Sequence, residues 1–178
     1  MLDQTMEEAL NKQVNRELFA GYLYLSAATY YQSVDLPGFA NWMEVQYREE
    51  VTHAQRIYNY IHERGGRVRL QPIEGPPTDW ENPGQPLEAA YGHEQKVTAW
   101  INDLMNMAIE LRDHATVNFL QWFVEEQVEE EDNTSALVNR YKLAEGGNGL
   151  FMMDKELGAR MYRPPSDKGW NVGSETAQ

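Results

Sequence analysis

The chain contains no cysteine, which excludes a disulfide scaffold, an iron–sulfur cluster and a Cys-ligated zinc site. It has no run of eighteen apolar residues, so no membrane span is expected. Basic residues are scarce: 15 Lys and Arg stand against 28 Asp and Glu, a net charge of −13. Without Lys/Arg clusters to displace counterions, nucleic acid and anionic lipid are not expected partners. GxGxxG, GxxxxGK[ST] and GxSxG patterns, internal repeats and low-complexity tracts are all missing. The start, MLDQTMEEALNKQ, has no basic segment followed by an apolar one, so no signal peptide is expected and a cytoplasmic protein is the default. At 178 residues the chain can bury one domain's core.

What fills the sequence is helical period. Thr5 and Glu8 read as a capping box opening a helix over about 5–33. Its apolar stripe runs Leu10, Val14, Leu18, Gly21, Leu25, Ala28. After a turn at 34–38 a second helix spans about 37–64, stopped by Gly65-Gly66. Residues 66–85 hold Pro72, Pro76, Pro77 and Pro83 with Gly75 and Gly84 and cannot be helical. A third helix is expected over about 86–112 and a fourth over about 115–145, ended by Gly146-Gly147. A short fifth follows over about 149–161, before Pro164-Pro165. Helices of about 28 residues would be roughly 42 Å long, and twenty extended residues reach roughly 65 Å. The proline-rich segment can therefore run back along the whole bundle, leaving the second and third helices parallel. The expectation is an all-α four-helix bundle with one long crossover and a short C-terminal helix, over 1–165, and a flexible polar tail over 166–178.

The core stripes are interrupted by acids. The first passes through Glu17. The second reads Phe39, Met43, Gln46, Glu50, His53, Ile57, Ile61. The third reads Leu87, Ala90, Glu94, Val97, Ile101, Leu104, Ala108, and the fourth Phe119, Phe123, Gln127, Glu130, Leu137, with Glu126 beside it. Burying an unpartnered carboxylate costs several kcal/mol. No Lys or Arg lies on these stripes, and Lys12 and Arg16 project from other faces, so a bound polyvalent cation is the economical explanation. A network of protonated acids is the alternative.

Glu50 and His53 lie three residues apart and leave the same face of a helix, so both can hold one ion. Di-metal bundles use one Glu from each of two helices and Glu-x-x-His from each of the other two. Glu17 and Glu94 supply the single acids, and Glu50-Val51-Thr52-His53 one complete motif. The fourth helix departs, with Gln127 first and Glu130 where histidine would stand. Hard oxygen ligands with one imidazole suit iron or manganese, and the missing second histidine should leave the second metal less firmly held. Glu49, Glu126, Glu129 and Glu130 form either a solvated acidic face or a third, looser cation site. Tyr24, on the face of Glu17, is either core packing or an electron donor, and Trp122 presents the same choice. His62, His93 and His114 are solitary and expected at the surface or at helix ends. Met105, Met107, Met152, Met153 and Met161 are expected in core or interface packing.

On these residues the sequence resembles the non-haem ferritins of bacteria and archaea over about 5–165. The most specific stretches are Arg16-Glu17 with Tyr24, residues 49–54, Glu94, and NFLQWFVEEQVEEE at 118–131. The resemblance implies one iron site of Glu17, Glu50 and His53, and a second of Glu50, Glu94 and Glu130 with Gln127 close by. It also implies a third of Glu49, Glu126 and Glu129 that shares Glu130. It implies a ferroxidase that oxidises Fe(II) with O2 or H2O2, for iron storage and detoxification as a ferric mineral. Such proteins form hollow shells of 24 subunits, with the fifth helix lining a pore and an acidic inner wall.

Haem-binding bacterioferritins would need the second Glu-x-x-His and a methionine where Thr52 stands, so no haem is expected. Rubrerythrins need a cysteine-rich module, and the small DNA-protecting relatives place their ligands between subunits. Two other functions compete: a di-iron oxidase without storage, and a non-enzymatic calcium or subunit-contact module. Elution as a monomer or dimer would favour the first. Failure to form ferric absorbance from Fe(II) in air would favour the second.

Overall fold

The computed structural model describes residues 2–144 and 148–164. Among them are five helices and no strand: α1 (Gln4–Ser33), α2 (Pro37–Glu63), α3 (Gly84–Glu110), α4 (His114–Ala144) and α5 (Gly149–Leu157). The expected Gly146-Gly147 stop, Pro165 and the tail over 166–178 lie outside the described residues.

Local chemistry sets most boundaries. Asp3, not Thr5, caps α1: its Oδ1 accepts the Thr5 N–H at 2.8 Å. Thr5 is already inside the helix, and Glu8 accepts instead from the Gln4 side chain at 3.2 Å, so the expected capping box does not form. Asp35 takes a left-handed φ of 59° in the tight turn to α2, which Pro37 opens. Gly65, at φ 75°, ends α2: its N–H reaches the His62 carbonyl at 2.9 Å and the Gly66 N–H reaches Ile61 at 2.8 Å. That pair of bonds is a Schellman stop. Asp113 accepts the Thr116 N–H at the start of α4, and Arg64 grips both its oxygens at 3.1 and 3.0 Å, tying the end of α2 to α4. The fifth helix stops at Leu157, short of the expected 161: Gly158 N–H still reaches the Asp154 carbonyl four residues back, but the Ala159 and Arg160 N–H groups tighten onto Glu156 and Leu157, only three back.

The crossover runs as its length allows. Asn11 binds the backbone of Arg67 and Arg69, Asn15 reaches the Pro72 carbonyl, Ser26 that of Pro77, and Tyr31 that of Pro83. Both numbers rise together, so the segment travels alongside α1 from its start to its end. That makes α2 and α3 parallel and yields two antiparallel hairpins, α1–α2 and α3–α4, with α5 packed on α2 and α4.

The interior is not one apolar mass. One cluster, around Tyr31, Phe39, Met43 and Leu137, fills the end nearest α5. Another, around Leu10, Ile57, Ile101 and Phe123, fills the opposite end. Every stripe residue named for α2 and α3 is buried. On α1, Leu18 and Leu25 are only half-buried, while Met6, Gln13 and Tyr31 lie inside. A helix packed against both α2 and α3 buries a wider face than one stripe marks. Phe119 on α4 is also half-buried, stacked 3.8 Å over Tyr60. Among the described residues no helix is long and apolar enough to cross a membrane.

Candidate metal centre

Between the two apolar clusters lies a polar layer to which all four long helices contribute. Glu17 comes from α1, Gln46, Glu50 and His53 from α2, Glu94 from α3, and Gln127 and Glu130 from α4. All are at most 5% exposed. Ligand atoms of Glu17, Glu50 and His53 lie within 4.8 Å of one another. His53 Nδ1 stands 3.5 Å from Glu50 Oε2, too long for a good hydrogen bond. The spacing suits two ligands each about 2.1 Å from one shared ion.

Each outer carboxylate is held by a neutral donor. Gln13 Nε2 donates to Glu17 Oε1 at 2.7 Å, and Gln46 Nε2 to Glu130 Oε2 at 2.7 Å. Tyr24 donates its hydroxyl to Glu94 Oε1 at 2.6 Å, and Gln127 Nε2 donates to Glu94 Oε2 at 3.2 Å. These bonds fix the carboxylates without neutralising them. Two buried oxygens, Glu17 Oε2 and Glu50 Oε1, have no hydrogen-bond partner. A cation is the group that both could accept together.

The electrostatics say the same. Burial, then the charges of Glu94, Glu17 and Glu130, push the Glu50 carboxyl well above its ordinary range. Burial and the neighbouring Glu94 push Glu130 up to about 8. Burial raises Glu94 against the opposing hydrogen bonds from Tyr24 and Gln127. Burial and then Glu94, Glu130 and Glu50 raise the Tyr24 phenol, keeping it protonated as a donor. Four helices have converged mutually repelling acids, and polyvalent positive charge relieves that repulsion directly.

The structure treats the expected residues unequally. Glu17, Glu50 and His53 form a preassembled set. Glu94 and Glu130 flank Glu50 but are turned onto their own donors, and Gln127 presents its amide nitrogen to Glu94 rather than an oxygen to the centre. Glu49, Glu126, Glu129 and Glu130 line, with His53, a cavity of about 390 Å³. Glu49 and Glu126 are half-buried and Glu129 is exposed. Trp122 stands edge-on to His53 with ring centres 5.4 Å apart and joins the wall of that cavity.

His93 is a correction. It is 5% exposed in the middle of α3, packed on Phe19 and Trp100, and burial lowers its pKa to about 4. It is therefore a neutral core histidine and not a surface one, because α3 turns its ring onto Phe19 of α1, with ring centres 5.6 Å apart. His62 and His114 are exposed at helix ends, as expected. Gln13 was not anticipated, although an amide one turn before Glu17 was the available signal. Gln46 stood on the stripe without an assigned role. Arg16 also comes closer than expected, donating to Gln13 Oε1 at 3.1 Å while its guanidinium stacks 4.0 Å over Trp100.

Fold and site together define a ferritin-like four-helix bundle with a carboxylate–histidine candidate metal centre inside one chain. Comparison with known proteins carries this further. The ferritin-like domain family matches residues 7–144. The chain is 37% identical over 163 residues to a bacterial non-heme ferritin of Staphylococcus aureus, covering 91% of this chain and 98% of that protein. It is 37% identical over 160 residues to one from Bacteroides fragilis, covering 90% and 100%. Among solved structures, an open pore ferritin from the hyperthermophilic archaeon Archaeoglobus fulgidus superposes with a TM-score of 0.89 at 46% identity, covering 90% and 100%. An engineered closed form of the Archaeoglobus fulgidus ferritin gives 0.89 at 45%, covering 92% and 100%. The chain belongs to the ferritin family.

Proposed function

We propose that this protein stores and detoxifies iron, oxidising Fe(II) at a di-iron ferroxidase centre within each subunit and depositing ferric mineral inside a hollow shell. The observation that carries the reading is the pair of buried oxygens without partners, Glu17 Oε2 and Glu50 Oε1, on two acids whose ligand atoms lie with that of His53 within 4.8 Å of one another. Fe(II) is the substrate. One ion is held by Glu17, Glu50 and His53. A second is held between Glu50, Glu94 and Glu130, with Gln127 turning its amide to contribute its oxygen. Glu50 bridges the two, and its negative charge offsets their repulsion.

The two ferrous ions give up one electron each. O2 accepts both and leaves as H2O2, or H2O2 accepts them and leaves as water. Carrying O2 all the way to water takes four electrons, two more than the two ions supply, and Tyr24, hydrogen-bonded to Glu94, and Trp122, beside His53, are the candidate donors for that further reduction. With one complete Glu-x-x-His and an oxygen-only partner on α4, the second ion is held less firmly. It passes to a third site of Glu49, Glu126, Glu129 and Glu130 and from there to the mineral. No haem is involved. In this reading the assembly is a shell of 24 identical subunits, as membership of the ferritin family favours, and it works in the cytoplasm.

Fe(II) added in air to the purified assembly should give ferric absorbance within seconds, and Glu50→Ala should slow it at least about tenfold, since bridging both ions is lost. An equally fast Glu50→Ala protein would remove Glu50 from the centre. Elution as a monomer or dimer would remove the storage reading.

A further inference from the structure

The cavity beside His53 is not lined by acids alone. The chain leaving α5 crosses α2 at this point, and its course is fixed at several positions. Asp154 of α5 accepts the Gly38 and Phe39 N–H groups at 2.8 and 3.0 Å, docking α5 on the start of α2. Asn41 Nδ2 then donates to the Leu157 and Arg160 carbonyls at 3.1 and 3.0 Å. The Arg160 guanidinium lies 4.6 Å above the Trp42 ring, and its terminal nitrogen donates to Glu49 Oε2 at 2.7 Å. Two residues on, the Tyr162 hydroxyl meets Thr52 Oγ1 at 2.6 Å. Thr52 already spends its own proton on the Arg48 carbonyl at 2.9 Å, so Tyr162 donates.

We infer that Arg160 is a resident counter-cation of the third carboxylate site, and that the segment after α5 is a latch an incoming metal ion must lift from Glu49. The inference rests on the third site proposed above. Arginine stays charged at any physiological pH, so Glu49 is released only by displacement. A metal ion that takes Glu49 through Oε2, or through both oxygens, has to displace Arg160, and one that takes Oε1 alone binds against the guanidinium's fixed charge.

This pair differs from a free surface ion pair, whose two flexible arms gain little by meeting. Here the backbone at Arg160 is pinned, and the guanidinium rests on a ring that has already restricted it. Yet the grip is single: the other terminal nitrogen of Arg160 is buried without a partner, so no bidentate fork has to be broken. Such a contact holds the site shut when metal is scarce and yields as the first two positions fill. The latch thus makes the third position the last to load, and it governs how readily iron leaves the centre.

The test is calorimetric titration of the metal-free assembly with Zn(II), which binds hard and imidazole ligands without oxidation. Wild type should take two equivalents per subunit tightly and a third weakly. In Arg160→Gln, which keeps a stem over Trp42 but removes the charge, the third equivalent should tighten about tenfold or more with the first two unchanged. Arg160→Lys should stay near wild type. Tyr162→Phe, which only loosens the latch, should shift the third equivalent the same way by less, and it reports even if Arg160→Gln assembles poorly. A third equivalent that is unchanged or weaker in Arg160→Gln and Tyr162→Phe overturns the latch. A wild-type protein without the two tight equivalents overturns the proposed centre, and the latch with it.

Discussion

Glu50 faces Glu17, Glu94 and Glu130 across a dry interior, with His53, 3.5 Å from Glu50, as the imidazole set among them and, among the described residues, no Lys or Arg donating to any of the four. In the metal-free protein, protonation is the only local way to relieve that arrangement, and this sets a sign for its pH dependence. A carboxyl raised in the folded state, such as Glu130 at about 8 from an ordinary 4.5, holds a proton that the unfolded chain releases. The stability this contributes is complete below the unfolded value and is lost as pH rises through the folded one. His93, lowered to about 4 from 6.5, acts oppositely but only below pH 6.5. Between pH 6.5 and 8 the carboxylates stand alone, so the melting temperature of the metal-free assembly should fall across that interval. Zn(II) should restore it at pH 8 through binding to the native state. A metal-free melting temperature that is flat from 6.5 to 8 would count against a cluster of proton-sharing acids.

At the scale of elements, the weakest helix by length is held by the most exacting contacts. α5 has nine residues, too few to be stable alone, and it docks through Asp154 on the unpaired amides at the start of α2. The α2 N-cap, Leu36, has no capping side chain, so α5 supplies one from a distance in sequence. The approach demands glycine at position 38, where a Cβ would stand 1.7 Å from the Asp154 carbonyl oxygen. Gly38→Ala should therefore push α5 off α2 and cost about 1–3 kcal/mol by overpacking. The loss would be read as a lower melting temperature together with exposure of Met153 and Leu157. Asp154→Asn, which keeps an acceptor oxygen, should cost less than Asp154→Ala. The same contacts anchor the segment that carries Arg160, so both Gly38→Ala and Asp154→Ala should also tighten the third Zn(II) equivalent. No change there would separate the helix from the latch.

At the scale of the whole molecule, the outer surface carries apolar side chains that the single chain does not cover. Leu143 near the end of α4, Phe151 and Met152 on α5 and Met161 beyond it are each 69–88% exposed. Leu143 and Met152 line one surface cleft together; large exposed apolar groups mark interfaces where they gather, and a shell of identical subunits would cover these. Phe151→Glu should shift the assembly toward smaller species by light scattering. Because none of these four residues touches the polar layer, those species should still oxidise Fe(II). An intact shell in Phe151→Glu would place the contact elsewhere.

Much of this architecture is decided along the chain. Helical period fixes the four long helices, Gly65 with its left-handed φ fixes where α2 stops, and the prolines of the crossover forbid a helix there. The crossover's length then forces α2 and α3 to run parallel. The acids of the centre are legible for the same reason: Glu17, Glu50 and Glu94 stand where the period requires apolar side chains, and an uncompensated buried charge is too costly to be accidental. What the sequence cannot carry is which donor meets which acid across helices. That Gln46 of α2 serves Glu130 of α4, that Tyr24 of α1 serves Glu94 of α3, and that His93 faces inward depend on the rotation of each helix about its axis. Interhelix packing sets that rotation. The most remote contact is also the least legible: Arg160 reaches Glu49 from 111 residues away because α5 docks on α2, and no local pattern in the sequence encodes that docking.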